Sequence, residues 1–259
     1  MSRRWALLGT AILLALGMGW MVQTAVAATI TTLLYDGNLS TLPAAQGFTY
    51  LAFPVQGPTQ VISNNGVILD TTGAGSDSAG YFNRTEQIPT LDRSAGYTVT
   101  IQAQLLSETH SSNDRAGFSL IVLSDNLTGT DAAWGIELGF WEDEIWAQED
   151  DTQGGSLFTH AEGMNLETTA AVVQYDLYVV TDTYRLAADG VVVLNGRLRD
   201  YSNFSGFPDP YETPNFIFLG DDTSSAAARV QINEVAVMVP TSVPPQDPHY
   251  VYLPLMIRP

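Results

Sequence analysis

The sequence predicts an all-β fold, two antiparallel sheets packed as a jelly-roll sandwich, and three observations carry that expectation. Short runs rich in Val, Ile, Thr, Tyr and Phe recur along the 259 residues, bounded by Gly, Asp, Asn and Ser, and no apolar stripe keeps a helical period. Within "GYTVTIQAQLL", residues 96–106, Tyr97, Val99, Ile101, Ala103 and Leu105 alternate with Thr98, Thr100, Gln102 and Gln104. That is a strand with one dry and one wet face. Asp189-Gly190 stands between two apolar runs, the pair preferred for a two-residue primed hairpin turn.

Taken in order, the chain begins with Arg3 and Arg4, an uncharged apolar run over 5–22, and the small-x-small triplet Ala25-Val26-Ala27. This is the pattern of a secretory signal peptide over 1–27. The run also approaches the roughly 20 residues a spanning helix needs. The cleavage triplet favours removal, so a secreted or cell-surface protein with no stable membrane span after signal removal is expected. Residues 28–239 then form one β-sandwich. Strands are expected near 65–70, 79–83, 96–106, 115–124, 133–141, 145–149, 157–161, 171–180, 183–188, 190–195, 215–219 and 228–238. Between two of them, "FWEDEIW" reverses direction through Glu142, Asp143 and Glu144. Residues 240–259 make a Pro-rich linker and a short aromatic-apolar tail, "HYVYLPLMIRP".

Charge narrows the partners. The whole chain has 28 acids against 10 bases, none of them lysine, and removal of the signal would leave 28 against 10 − 2 = 8. Such a surface repels phosphate backbones, so nucleic acid is not an expected partner, whereas divalent cations are attracted. The chain has no cysteine, which excludes disulfides and thiolate metal sites. Sequons at Asn38, Asn83, Asn126 and Asn203 carry no information if the host is bacterial.

Five strings in order, "GYTVTIQAQL", "RAGFSLIVLS", "WGIELGFWEDEIWAQ", "YDLYVVTDTYRLAADGVVVLNGRL" and "NFIFLGDDTSSAAARVQINEVAV", resemble the concanavalin A-like jelly rolls. Within them they are similar to the laminin-G-like modules of exported bacterial proteins. The resemblance runs from about Gly66 to Val237. It implies a sandwich that recognises glycans or surface polymers, structural calcium, and, through the Tyr-Leu-Pro-Leu ending, an interchangeable C-terminal sorting tail. A last edge strand folded back onto the sandwich explains the tail equally well. Hydrolases of this superfamily carry Glu-x-Asp-x-Glu or Glu-x-Asp-x-x-Glu on one strand, because residues at i and i+2 share a face. Neither arrangement occurs here, and no Gly-x-Ser-x-Gly elbow is present. A non-catalytic module is therefore the first reading, with a glycan-cleaving enzyme or a purely structural surface protein as alternatives.

The candidate ligand-binding residues follow from alternation. In "WGIELGFW", Ile136, Leu138 and Phe140 face the core, leaving Glu137 and Trp141 on the other face with Gly139 between them. Trp146, Arg115, His160 and Glu162 border the same surface if their strands are neighbours. Aromatic faces stack on sugar rings, and carboxylates and guanidinium groups serve the hydroxyls. Duller readings stand beside these: Trp141 and Trp146 as a cross-strand pair, Arg115 paired with Glu108 or Asp114, and "EDE" as a solvated hairpin tip. Calcium, which takes six to eight oxygens, has candidate ligands in Asp221, Asp222 and Thr223 of "GDDTSS" and Asp209 of "DPYE", with "EDD" at 149–151 as a second place.

Overall fold

The computed structural model describes residues 28–63, 65–84, 87–125, 134–206 and 208–241. The signal peptide, the Asn126 sequon and most of the 240–259 tail lie outside them. The strands are β1 (Thr29–Asp36), β2 (Thr49–Phe53), β3 (Thr59–Ser63), β4 (Gly66–Asp70), β5 (Ser78–Arg84), β6 (Tyr97–His110), β7 (Ser119–Leu123) and β8 (Gly135–Phe140). They continue as β9 (Glu144–Gln148), β10 (His160–Asn165), β11 (Val173–Val180), β12 (Thr183–Ala188), β13 (Val191–Arg197), β14 (Phe216–Asp221) and β15 (Ala226–Pro240). All pairings are antiparallel. One sheet runs β13-β12-β11-β6-β15-β4-β3 with β1 also on β15, and the other β10-β9-β8-β7-β14-β5-β2. This is the two-sheet jelly-roll sandwich that the alternation predicts.

The core lies between the sheets. Tyr97, Val99, Ile101, Ala103 and Leu105 of β6 are buried and the residues between them are not, so that strand has its expected wet face. β7, β8 and β14 differ, being buried along their whole length. Leu120, Val122, Ile136, Leu138, Ile217 and Leu219 enter the main core, while Ile121, Leu123, Phe216 and Phe218 belong to a second apolar cluster on the opposite face. The second face is covered because residues 198–206 and 208–215 fold across it with Tyr201, Phe204 and Tyr211.

Both predicted reversals form. Asp189 and Gly190 hold φ of 47° and 79°, the left-handed pair a primed turn requires. Trp141 donates its backbone N–H to Glu144 O at 2.8 Å, closing the β8–β9 hairpin. Three strands precede the expected first one: β1 to β3 read poorly because much of their apolar surface faces outward, with Ile30, Leu33, Val61 and Ile62 exposed. The run expected at 115–124 pairs only from Ser119, and the one expected at 157–161 begins at His160 and continues to Asn165.

A candidate functional site on the open face of the second sheet

Antiparallel register places Glu137 opposite Ile121, Ile121 opposite Phe218 and Phe218 opposite Phe82. These four side chains therefore cross the sheet in one row on the face away from the main core. A parallel row carries Trp146, Gly139, Ser119, Gly220 and Gly80. Gly80 is needed there, because a Cβ on it would stand 2.3 Å from the Phe218 ring. Over these rows the covering loop leaves a pocket of about 390 Å³, within the range of small-ligand sites, about 300–1,000 Å³.

Aromatic rings form its wall. Phe158 packs against Tyr201, Phe204 and Tyr211 with centroids 5.6, 5.3 and 5.2 Å away, and Phe204 meets Tyr211 edge-on at 5.5 Å. The charged and polar lining of the pocket includes Arg84, Arg115, Ser119, Glu137, Gln148, Asp209, Asp221, Asp222 and Thr223. Glu137 is buried and accepts a hydrogen bond from the Tyr211 hydroxyl. Its backbone N–H donates to Tyr201 Oη at 3.2 Å, and that hydroxyl in turn donates to Gln148 O at 2.9 Å. Burial drives the Glu137 carboxyl well above the usual carboxylate range and the nearby Asp222 charge adds to it, against the opposing pull of Tyr211 and Arg115.

Asp221 is buried, its Oδ2 2.6 Å from Thr71 Oγ1 and its Oδ1 accepting from Thr223 N at 3.0 Å. Burial, the largest cause, raises it to about 8 despite those bonds. Asp222 has its own surface open to water in the pocket mouth while protein surrounds it at longer range. Desolvation by that surrounding raises it to about 6, and its backbone, Arg115 and Ser119 oppose the rise. Arg115 is held by its own work: Nη1 donates to Asp114 O and Phe158 O at 2.5 and 2.6 Å, and the guanidinium lies 5.8 Å from the Phe158 ring centroid.

Of the residues named from sequence, Arg115, Glu137, Asp209, Asp221, Asp222 and Thr223 thus line one pocket. The others do not. Trp146 offers no ring face to a ligand, which corrects the expectation for it: it is fully buried, stacked on His160 at 4.4 Å and lying against Gly139. Trp141 stacks on His110 at 4.2 Å and donates Nε1–H to Arg115 O at 2.8 Å, so it buttresses the pocket from outside. His160 pairs with Glu144 at 3.1 Å. Glu162 accepts from Tyr184 Oη at 2.7 Å and from Arg199, a network off the pocket.

The acids of "WEDEIWAQEDD" are largely accounted for. Glu142 accepts from Glu108 N at 3.1 Å and Glu144 holds His160. Glu149 and the wholly buried Asp150 hold Arg197, and Asp151 accepts from Asn203 Nδ2 at 2.9 Å. Hydrogen bonds from Arg197, Asp200 N and Thr152 outweigh burial and hold Asp150 below the usual aspartate range. Glu149 and Asp150 therefore serve an ion-pair network with Arg197, and Asp151 holds the Asn203 amide. Among the described residues no group of three or more His, Asp or Glu side chains converges to hold an ion, and no helix is long and apolar enough to cross a membrane. Tyr211, Gln148, Phe158, Phe204 and Phe218 were not legible as site residues, because they come from β9, β14 and two separate loops and only the sandwich brings them together.

No family model matches the chain, and no curated protein matches it. Among solved structures it is similar to a carbohydrate esterase from the Shiga toxin-encoding bacteriophage phi24B, with 15% identity, 82% of this chain and 100% of that one covered, and a TM-score of 0.57. A Bacillus subtilis protein of unknown function with a galectin-like fold gives 10% identity over 81% of this chain and 97% of that one, with a TM-score of 0.49. An alginate lyase of polysaccharide lyase family 7 gives 11% identity over 82% and 94%, with a TM-score of 0.45. At these identities the likeness concerns the fold.

Proposed function

We propose that the protein is an exported glycan-recognition module whose ligand enters the pocket on the open face of the second sheet. The carrying observation is the pocket itself: an aromatic wall of Phe158, Phe204 and Tyr211 beside a polar end built on Glu137, Gln148 and Asp222. Sugar rings present apolar faces that pack on aromatic rings and hydroxyls that need both donors and acceptors. A carboxyl that keeps its proton, as burial makes Glu137 do, can donate as well as accept. The carbohydrate esterase that shares the fold supports the same ligand class.

Glycan-array binding by the purified protein tests the reading, with Tyr211→Phe and Phe204→Ala as site variants. Binding that both variants weaken about tenfold or more is expected; binding that neither changes would place the glycan elsewhere. One observation favours cleavage as a second reading. Glu137 and Asp222 share the pocket, and the Asp222 charge helps to raise the Glu137 carboxyl, as in a pair of an acid and a base with separated affinities. Release of new reducing ends from a polysaccharide, lost in Glu137→Gln, decides for it. Export through residues 1–27, a sorting role for the 240–259 tail, laminin-G-like membership and calcium on Asp209, Asp221, Asp222 and Thr223 are further parts of the proposal.

A further inference from the structure

The floor of the pocket changes character across the sheet. On β8 and β9 it presents Glu137 and Gln148, a carboxyl and an amide that serve hydroxyl groups. From β7 onward the residues that face one another in register are Ile121, Phe218 and Phe82, and the row beside them runs through Gly220 and Gly80 to Leu51 on β2. No side chain in that stretch donates or accepts a hydrogen bond. The backbone groups of β7, β14 and β5 are taken up by antiparallel partners on both sides. Polar lining that reaches this part of the pocket stands at its sides: Ser78 and the exposed Arg84 flank Gly80 and Phe82 along β5, and Asp209 accepts from Tyr211 N at 3.2 Å.

A sugar ring laid on Phe218 and Phe82 would bury hydroxyls against that floor without partners, and each such group weakens binding about tenfold. An aliphatic chain loses nothing there. Resting on the carbohydrate reading above, we propose that the ligand is a sugar carrying one long acyl or alkyl chain. The sugar occupies the Glu137 and Gln148 end, and the chain crosses β7, β14 and β5 toward Leu51. Three strand spacings of about 4.8 Å separate β7 from β2, roughly 14 Å. At about 1.25 Å per carbon of extended chain, about 11 carbons cover that floor. A single aryl substituent leaves its Phe82 and Leu51 end bare. Each methylene laid on the floor tightens binding about two- to fourfold, and the gain stops when the floor is covered.

Titration calorimetry on the purified protein tests this with alkyl maltosides from methyl to tetradecyl, each below its micelle-forming concentration, and with 1-octanol as a probe lacking the sugar. Decyl maltoside should bind at least a hundredfold tighter than methyl maltoside, octyl maltoside at least tenfold tighter than octanol, and the gain should level off near about 11 carbons. Leu51→Asp should remove the gain of chains longer than about eight carbons and leave butyl maltoside unchanged. Val192→Asp, exposed on β13 of the other sheet, should leave the whole series unchanged. If Leu51→Asp does not fold, the levelling of the wild-type series decides alone. Methyl maltoside bound as tightly as decyl maltoside overturns the proposal and leaves the carbohydrate reading standing. Octanol bound as tightly as octyl maltoside takes the sugar out of the site and overturns both. A gain that continues through tetradecyl, or that Val192→Asp lowers as much as Leu51→Asp, is adsorption to exposed apolar residues and overturns the proposal. So does failure of every maltoside to bind, with the glycan array then deciding the carbohydrate reading by itself.

Discussion

Asp221→Asn should stabilise the protein at alkaline pH while changing little at acid pH. The buried carboxyl is raised from 3.8 to about 8, so between those values the folded state holds a proton that the unfolded chain has released. Stability then falls as pH rises through that window and is fully present only below about pH 4, the reverse of a salt-bridged aspartate. About four units at about 1.4 kcal/mol each bound the loss at about 6 kcal/mol, and local relaxation brings the expected value to about 2–4 kcal/mol. Asparagine imitates the protonated form. Thr71 Oγ1 donates to the ionised Oδ2 at 2.6 Å; once Oδ2 is protonated the same hydroxyl can accept from it and donate to Ala228 O at 3.2 Å, while it accepts from Ala228 N at 2.9 Å. An amide in the same place donates to Thr71 equally well, and its oxygen still accepts from Thr223 N. Urea denaturation followed by tryptophan fluorescence at pH 4, 6 and 8.5 measures the difference between variant and wild type. That difference should be within about 1 kcal/mol at pH 4 and reach about 2–4 kcal/mol in the variant's favour at pH 8.5. A variant destabilised equally at every pH would refute the reasoning, since it would mean that the ionised carboxylate is the form the fold uses.

Arg197→Met strips the guanidinium from the buried Asp150, and breaking such a pair costs about 3–5 kcal/mol. A urea-measured loss of that order is expected at pH 7, narrowing below pH 4, because a carboxyl held low contributes its stability above the ordinary aspartate range and loses it as pH falls through its folded value. A loss under about 1 kcal/mol would show that Thr152 and Asp200 N suffice for Asp150. Trp146→Ala should cost about 3–5 kcal/mol as a core truncation and leave glycan affinity within about twofold where the fold survives; selective loss of binding would restore it to the site. Calcium at Asp221, as proposed, has to displace a proton, so any calcium-induced rise in melting temperature should grow between pH 6 and 9 and vanish in Asp221→Asn. A melting temperature independent of calcium at pH 9 would dismiss the ion.

What the sequence reveals here depends on how far a residue's environment is set by its own strand. Alternation along "WGIELGFW" places Glu137 opposite Ile136 and Leu138 without any knowledge of the fold, and the structure keeps that assignment. Alternation says only that Glu137 leaves the main core, however, and the expected destination is an open ligand-binding face. It is buried because the 198–215 loop, which has no period to read, brings Tyr201 and Tyr211 over it. The same loop converts a wet sheet face into a pocket and an ordinary carboxylate into one that holds its proton. Trp141 and Trp146 show the converse. Clustered tryptophans beside acids suggest a stacking surface, yet Gly139 opposite Trp146 leaves space into which its ring settles. His160 then covers what remains. A tryptophan facing a glycine on the neighbouring strand is better read as a filler of the room it leaves than as a platform. That rule would have directed attention from the tryptophans to Glu137, the polar residue on the same face that no small neighbour explains.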